Sequence, residues 1–209
     1  GYRKDRLNSA YSYGADVLVN TIQGSLGIPL NHYIEVDFAS FKNIVNALGG
    51  VDICFEYPTR DINTGLNVPA PGCYTLDQYQ SLAYARSRYY EVFRDGSWVI
   101  DGRADLGRIE RQQIFLQAAI SKAIGQTTAN PMRTSDLINA AVNSLTVDPN
   151  LNLIDTADYL KPLASGGVQR YSLSVVPEMI DEKDVLVLGA AAGAVLAYFA
   201  GTAGPPPVG

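Results

Sequence analysis

Residues that commonly build metal centres and nucleophilic active sites are scarce in this sequence. Its 209 residues include one histidine, His32, and two cysteines, Cys54 and Cys73. The cysteines are not part of a CxxC motif and no histidine cluster accompanies them, which disfavours metal binding through them. With one histidine and no GxSxG segment, a Ser-His-Asp hydrolase is excluded, and His32 is better explained as a structural residue than as a general base.

The state of the two cysteines is left open by the residues themselves. Cys54 and Cys73 are either free thiols or one disulfide that closes a segment rich in Pro, Gly and Asn. A disulfide requires an oxidising compartment, and the residues alone do not identify the compartment.

Positive charge is also scarce, and it is unevenly placed. The formal net charge is −5 at pH 7, which disfavours a protein that coats a polyanion such as DNA. No helix-turn-helix pattern is present, so nucleic acid is not an expected partner. Six of the eleven arginines nevertheless fall within residues 86–111. A local arginine cluster in an acidic protein indicates a discrete site for an anion.

One run of the sequence is long, uncharged and largely apolar, residues 185–203. Glycine and alanine supply much of it, so a short strand at 185–188 followed by an alanine-rich helix explains it better than a membrane span. The chain begins with Gly-Tyr-Arg and not with Met, which is typical of a processed or excised piece. We expect one domain over residues 1–203 and an exit linker over residues 204–209, where three prolines prevent a helix.

The apolar residues predict an α/β fold. Hydrophobic residues make up 47% of the chain, enough for one substantial core. Segments with apolar residues at helical spacing alternate with segments of strand character, which favours helices on both sides of a sheet. The predicted helices are 14–26, 41–48, 77–85, 108–124, 134–147 and 153–163; the predicted strands are 32–38, 51–55, 171–176 and 185–188; residues 57–73 and 96–107 are predicted loops, the second one around Trp98.

The arginine cluster has spacings that suit a phosphate ligand. Arg86 and Arg88 lie two apart, so both side chains would project from one face of an extended segment over 86–90. Arg108, Arg111 and Gln112 share one face of the helix that is predicted to begin at Arg108. They would occupy its first turn, where free N–H groups attract anions. Guanidinium groups bind phosphate oxygens in pairs and stay charged, so the cluster predicts a pyrophosphate site.

The alternative explanation of the cluster is a set of solvated surface ion pairs. Acidic residues are interleaved with the arginines, and most such exposed pairs contribute little to stability. On spacing alone, ion pairing is at least as good an explanation. Asp105, next to the proposed site, is equally well explained as a partner that orients Arg108. The acidic residues concerned are Glu91, Asp95, Asp101, Asp105 and Glu110.

Five segments of the sequence resemble the LytR-CpsA-Psr family, in the order and at separations similar to those of the family. The resemblance covers residues 7 to about 201. A further loop, RDINTG at 60–65, and the insertion around Trp98 resemble the actinobacterial branch. The five segments are LNSAYSYG at 7–14, HYIEVDF at 32–38, ALGGVD at 47–52, LAYARSR at 82–88 and DLGRIERQQ at 105–113.

The resemblance implies a three-layer α/β/α sandwich with a mixed central sheet and a hydrophobic tunnel for a polyprenyl lipid. It implies a phosphotransferase that moves a glycopolymer from a polyprenyl-pyrophosphate carrier to peptidoglycan during cell-wall assembly, with Mg²⁺ assisting. It also implies an extracytoplasmic domain at the outer face of the cell membrane, held by an N-terminal anchor that is absent from this chain. The family's pyrophosphate-binding residues match Arg86, Arg88, Arg108, Arg111 and Gln112, with Arg6 as a weaker candidate, and the four cluster arginines are the expected catalytic residues.

The resemblance also implies what is missing. In the family, the opening strands carry a pair of aspartates that hold Mg²⁺ and an additional arginine, and these are expected to lie upstream of Gly1. The chain is therefore expected to be truncated at its N-terminus and to lack metal ligands of its own. This expectation leaves a second hypothesis open, a non-catalytic module that binds polyprenyl-phosphate lipids at the cell surface. A transcriptional regulator is disfavoured by the negative net charge.

The extracytoplasmic setting implied by the resemblance favours a Cys54–Cys73 disulfide. A disulfide that closes a loop of this size would stabilise the fold by roughly 3 kcal/mol on the chain-entropy model.

Overall fold

The structure is a computed structural model, which describes residues 5–129, 137, 139–140, 142–152 and 171–207. The chain divides into two compact units, one formed by Gly1–Tyr33 with Gln169–Gly209 and the other by Ile34–Val168. The domain boundaries expected from the sequence stay a prediction.

The described elements include both helices and strands, as the sequence predicts, but the strands come in consecutive runs and do not alternate one by one with helices. A 3₁₀ helix, Leu7–Tyr13, comes first. The α-helices are α1 (Ala15–Leu26), α2 (Phe38–Ala47), α3 (Gln78–Arg86), α4 (Ala104–Ala129) and α5 (Ala192–Phe199). The strands are β1 (Ile34–Glu35), β2 (Val51–Phe55), β3 (Thr59–Asp61), β4 (Leu66–Val68), β5 (Gly72–Leu76), β6 (Glu91–Arg94), β7 (Ser97–Ile100), β8 (Thr146–Val147), β9 (Val175–Ile180) and β10 (Lys183–Leu188).

The core of the second unit is built around strand β2. Val51, Ile53 and Phe55 alternate with exposed residues along β2 and are buried, because successive side chains of a strand point to opposite faces. Helix α4 packs against β2 and α3, and α3 packs against α2. Phe115 of α4 and Tyr84 of α3 enter the same buried cluster. This packing holds the C-terminal end of α3 beside the N-terminal half of α4.

The described strands do not form the single mixed sheet that the sequence predicts. They pair in four small sheets, β1–β8, β9–β10, β2–β5 and β4–β3–β6–β7, and every pairing is antiparallel. Short turns join β3 to β4, β6 to β7 and β9 to β10, and a parallel pairing would need a long crossover instead. The coarser prediction, an α/β fold of helices and strands, is confirmed.

Two predicted loops are wrong, because both contain regular secondary structure. Residues 57–73 include β3 and β4, and residues 96–107 include β7 and the start of α4. Trp98 therefore lies in a strand. Asp95 and Gly96 connect β6 to β7 with positive φ angles of 54° and 80°, the conformation that favours a two-residue hairpin turn. The Asp95-Gly96 pair is a sequence signal for such a turn, although Arg94 and Ser97 flank it.

Several other boundaries differ from the prediction. The strand expected at 32–38 is confined to Ile34–Glu35, because Asp37 caps α2 by accepting the backbone N–H of Ser40 at 2.7 Å. The strand expected at 171–176 begins at Val175 and runs to Ile180. Of the helix expected at 134–147, residues 137, 139–140 and 142–144 are helical, but Thr146–Val147 form β8. The helix expected at 153–163 lies outside the described residues.

The apolar run at 185–203 is resolved as predicted, since β10 ends at Leu188 and α5 covers Ala192–Phe199. Within the described part of the chain, no helix has the length and apolar character needed to cross a membrane. Residues 204–207 have no regular secondary structure.

Candidate phosphate-binding site

Helix α4 begins four residues earlier than the sequence predicts. It starts at Ala104, so Asp105 lies in its first turn and Arg108 begins the next one. The side chain of Asp101 accepts the backbone N–H of Arg103 at 3.1 Å and thereby turns the chain into the helix. The predicted placement of Arg108 and Arg111 among the free N–H groups of the helix terminus is therefore wrong.

Arg88 and Arg108 share one carboxylate. Arg88 Nε lies 3.0 Å and Arg108 Nη2 lies 2.7 Å from Asp105 Oδ1. Neither contact has hydrogen-bond geometry. One negative charge thus stands between two guanidinium groups, which leaves a positive charge uncompensated at this point. The ion pair between Asp105 and Arg108 is the contact expected of an orienting partner, and Asp105 contacts Arg88 as well; the orienting role of Asp105 stays a prediction.

Arg111 is almost completely buried, with 6% of its side chain exposed. Its Nη2 donates to the carbonyl oxygen of Ser87 at 2.7 Å, and its guanidinium lies 4.3 Å from the centre of the Tyr90 ring. Its acidic partner, Asp101, is 3.4 Å away and is bonded more closely by Arg103, at 3.0 Å. A buried cation costs free energy unless it is paired, and Arg111 shares its partner with another arginine.

Three polar atoms of this cluster are buried without a hydrogen-bond partner, Asp105 Oδ1 and two arginine Nε donors. Arg108 Nε and Arg111 Nε are buried and have no hydrogen-bond partner among the residues that the structure describes. A buried donor without a partner costs about 1–3 kcal/mol, and such sites are explained when a ligand supplies the acceptor. Four arginines here face three carboxylates. They are Arg88, Arg103, Arg108 and Arg111 against Asp101, Asp105 and Glu110.

The electrostatics agree with an excess of positive charge. Partial burial lowers the pKa of Arg108 below its ordinary value, and the nearby Arg88 and Arg111 lower it further, against the opposing effect of Asp105. The Arg103 guanidinium holds the pKa of Asp101 below its ordinary value. Asp101 therefore remains ionised at neutral pH.

Arg86 and Gln112 lie next to this cluster without joining its ion pairs. Arg86 is the last residue of α3, not part of an extended segment, so the predicted common face of Arg86 and Arg88 is wrong. The Arg86 guanidinium lies 4.6 Å from the centre of the Phe38 ring. Gln112 Nε2 donates to the carbonyl oxygen of Ala85 at 3.1 Å. This contact ties α4 to the end of α3.

Arg6 is not assigned to the cluster. It belongs to the first compact unit, where its Nη2 donates to the carbonyl oxygen of Asp184 at 3.0 Å. Its role as a weaker candidate for pyrophosphate binding stays a prediction.

A buried carboxylate, absent from the sequence-based candidates, holds the segment between Arg86 and Arg88. Asp61 is fully buried and accepts Ser87 Oγ–H at 2.6 Å and the Tyr89 N–H at 3.0 Å. Its second oxygen accepts the N–H groups of Asn63 and Thr64. The Asp-Ile-Asn-Thr-Gly run predicts the local turn, but nothing in it predicts the contact with Ser87, 26 residues away.

The Mg²⁺ that the resemblance implies stays a prediction. No group of three His, Cys, Asp or Glu side chains that could hold a metal occurs within the part of the chain that the structure describes. The carboxylates nearest the arginines, Asp101 and Asp105, each contact two guanidinium groups. The guanidinium groups at those oxygens would repel a metal ion.

Cys54 and Cys73 form the disulfide that the resemblance favours. The two residues are directly opposite each other in the β2–β5 pair, on its exposed side. The bond therefore clamps the start and end of the segment that carries Asp61.

Comparison with known proteins identifies the family. The chain is 32% identical over 149 residues to the probable cell wall biosynthesis protein LcpB of Corynebacterium glutamicum, covering 70% of this chain and 33% of that protein. It is 34% identical over 139 residues to the polyisoprenyl-teichoic acid–peptidoglycan teichoic acid transferase TagU of Bacillus cereus, covering 66% and 41%. The chain thus spans a third to two fifths of the length of these curated relatives.

The fold has a close counterpart among solved structures. A LytR-Csp2A-Psr enzyme from Actinomyces oris superimposes with a TM-score of 0.78 at 30% identity, over 96% of this chain and 75% of that one. The sequence pattern of the LytR_cpsA_psr family matches residues 1–196. The chain therefore belongs to the LytR-CpsA-Psr family.

Proposed function

We propose that this chain carries the arginines that bind pyrophosphate in a glycopolymer–peptidoglycan phosphotransferase. The observation that carries the proposal is the pair of buried, unpartnered Nε donors on Arg108 and Arg111. Both lie where arginines outnumber carboxylates. A pyrophosphate would supply the acceptors and the negative charge that these groups lack.

The names of the relatives suggest the class of substrates. TagU proteins are named for transferring teichoic acid from a polyisoprenyl carrier to peptidoglycan, and the Corynebacterium relatives are named for cell-wall biosynthesis. We infer the same class of reaction for the whole protein, outside the cytoplasm at the membrane surface, with a polyprenyl-pyrophosphate donor. The hydrophobic tunnel, the three-layer arrangement and the membrane anchor belong to this proposal.

The chemistry assigned to the arginines is charge stabilisation. A peptidoglycan hydroxyl attacks the glycan-side phosphorus, a new P–O bond forms, and the P–O bond to polyprenyl monophosphate breaks. Negative charge then grows on the bridging and leaving oxygens, where Arg88, Arg108 and Arg111 would hold it. Mg²⁺ assistance remains part of the proposal, with ligands outside the described residues.

The test of the enzyme is release of polyprenyl monophosphate from a glycan-pyrophosphate-polyprenol, with and without Mg²⁺. Arg88→Ala should abolish release while the fold stays intact, because more than half of that side chain is exposed. Arg60→Ala serves as a matched control, since Arg60 pairs with Glu91 on β6, outside the cluster. Full activity of Arg88→Ala would contradict the proposal.

A binding assay separates catalysis from lipid capture. Farnesyl pyrophosphate should bind the wild type and bind Arg108→Ala about tenfold or more weakly, because one lost charge-assisted bond corresponds to about 1.5–3 kcal/mol. Binding without release under any metal condition would favour the alternative function, a non-catalytic polyprenyl-phosphate-binding module. Absence of binding would contradict both.

A further inference from the structure

One arginine next to the cluster is held by an aromatic ring and not by a carboxylate. The Arg86 guanidinium lies 4.6 Å from the centre of the Phe38 ring. The four arginines of the cluster each contact a carboxylate. Arg86 has no ion-pair partner among the residues that the structure describes. Its positive charge therefore lacks a compensating negative charge within that part of the chain.

The backbone on both sides of Arg86 is fixed by helix α4. Gln112 Nε2 donates to the carbonyl oxygen of Ala85 at 3.1 Å, and Arg111 Nη2 donates to that of Ser87 at 2.7 Å. Ala85 and Ser87 are buried, whereas Arg86 between them is exposed. The residue is thus anchored beside the cluster through its neighbours, and its own side chain reaches outwards.

The Phe38 ring is placed by the start of helix α2. Asp37 caps this helix, so Phe38 is its first residue, and α2 packs against α3, which ends at Arg86. Phe38, Arg86 and the cluster all belong to the same compact unit. The ring is 58% exposed. A single exposed apolar side chain is common in proteins, but this one lies against a guanidinium group that has no carboxylate.

A ring and a carboxylate hold a guanidinium group in different ways. A carboxylate cancels the positive charge and occupies N–H donors, whereas an aromatic ring attracts the cation with its negative face and carries no net charge. The N–H groups of Arg86 therefore stay available to phosphate oxygens, which a guanidinium group binds in pairs. An aromatic contact thus suits an arginine that keeps its charge for a ligand.

We propose that Phe38 is a positioning residue for pyrophosphate binding, because its ring holds the Arg86 guanidinium beside the cluster and leaves the charge uncompensated. The inference rests on the proposed function, which makes the arginines ligands of a pyrophosphate. Phe38 itself does not touch the phosphates. It limits the orientations of the Arg86 side chain before the ligand arrives, which lowers the entropy cost of binding. Loss of the ring should therefore weaken binding only while Arg86 is present.

The experiment is a double-mutant cycle on the equilibrium binding of farnesyl pyrophosphate to the 209-residue chain. Arg86→Ala should weaken binding about tenfold, and Phe38→Leu, which keeps an apolar side chain, should weaken it about threefold. The double variant should bind no more weakly than Arg86→Ala alone. Phe38→Trp should bind like the wild type, because a tryptophan ring attracts a cation at least as strongly as a phenylalanine ring.

The contact between Lys42 and Tyr79 supplies a matched control. It also places a cation of one helix over an exposed ring of the other, 5.6 Å from the ring centre. Tyr79, however, lies at the opposite end of α3 from Arg86. Tyr79→Leu should therefore leave farnesyl pyrophosphate binding unchanged. Urea unfolding should show similar small losses of stability in Tyr79→Leu and Phe38→Leu, so a binding loss confined to Phe38→Leu separates positioning from a general effect on the helix pair.

Arg108→Ala keeps failure of this inference apart from failure of the proposed function. Weakened binding in Arg108→Ala together with wild-type binding in Phe38→Leu would overturn the role of Phe38 and leave the pyrophosphate site standing. An equal loss from Phe38→Leu with and without Arg86 would also overturn it, because the ring would then act independently of the guanidinium group. A wild type that does not bind farnesyl pyrophosphate would contradict the proposed function and this inference with it.

Discussion

Arg111 Nη2 donates to the carbonyl oxygen of Ser87 at 2.7 Å. This bond joins the second turn of α4 to the residue that separates Arg86 from Arg88. Ser87 is held from its other side by Asp61, at 2.6 Å. The geometry of the arginine cluster therefore depends on a chain of contacts from the β3–β4 hairpin through Ser87 to α4.

Arg111 should contribute to stability as well as to binding. Arg111→Ala leaves the buried carbonyl of Ser87 without a donor, so we expect the free energy of unfolding to fall by about 2 kcal/mol. Arg103→Ala is the comparison, because 59% of that side chain is exposed and an exposed ion pair contributes about 1 kcal/mol or less. Urea unfolding of both variants measures the difference. Equal losses would contradict the structural role of Arg111.

Asp61 should make stability depend on pH. Burial raises its pKa, but hydrogen bonds from Ser87, Tyr89, Asn63 and Thr64 outweigh burial, and the net pKa lies below the ordinary value of 3.8. A carboxylate with a depressed folded-state pKa stabilises the fold above its unfolded-state pKa, and that contribution is lost as pH falls through the folded-state pKa.

The test compares wild type with Asp61→Asn in urea between pH 7 and pH 3. The variant should be less stable by about 2 kcal/mol at pH 7, and the difference should shrink as pH falls below 3.8, the ordinary aspartate value. Asp95→Asn, with a side chain 93% exposed, should change stability little. A difference that stays constant with pH would contradict the role of the Asp61 charge.

Gly107 should be required for the position of the Asp101–Arg111 pair. A Cβ at residue 107 would lie 2.8 Å from Asp101 Oδ2 and 3.1 Å from Arg111 Nη1. Gly107→Ala should therefore weaken farnesyl pyrophosphate binding, although alanine favours a helix by about 1 kcal/mol over glycine. Gly125→Ala in the same helix meets no atom within 4 Å. It should stabilise the protein and leave binding unchanged; the same result for Gly107→Ala would contradict this prediction.

The Cys54–Cys73 disulfide should stabilise the fold by roughly 3 kcal/mol. Replacing both cysteines with serine should lower the free energy of unfolding by that amount, measured by urea unfolding without reductant. Dithiothreitol should bring the wild type to the stability of the double variant and should not affect the double variant. A double variant as stable as the oxidised wild type would show that the disulfide does not stabilise the protein.

Helix boundaries were predictable from the sequence where residues next to the helix determine them. Gly27, with a φ of 68°, ends α1 as predicted, and Asp77 caps α3 through the N–H groups of Tyr79 and Gln80. The β6–β7 hairpin was missed, although Asp95-Gly96 is a strong turn signal, because the polar surroundings of Trp98 favoured a loop. The start of α4 was missed because residues 104–107 were grouped with the polar loop around Trp98.

The sequence predicted which residues belong to the candidate site, but not how these residues are arranged. The sequence by itself determined that six arginines lie close together along the chain and that the net charge is negative. It also determined that five segments resemble one family. Only the tertiary structure decided that Arg88 and Arg108 share Asp105, while Arg111 is buried against Ser87. The physical reason is that a buried charge needs partners from any part of the chain. Packing brings such partners together, as it brings Ser87 to the buried Asp61. Their separation along the chain follows no helical or strand period, so the sequence does not reveal them.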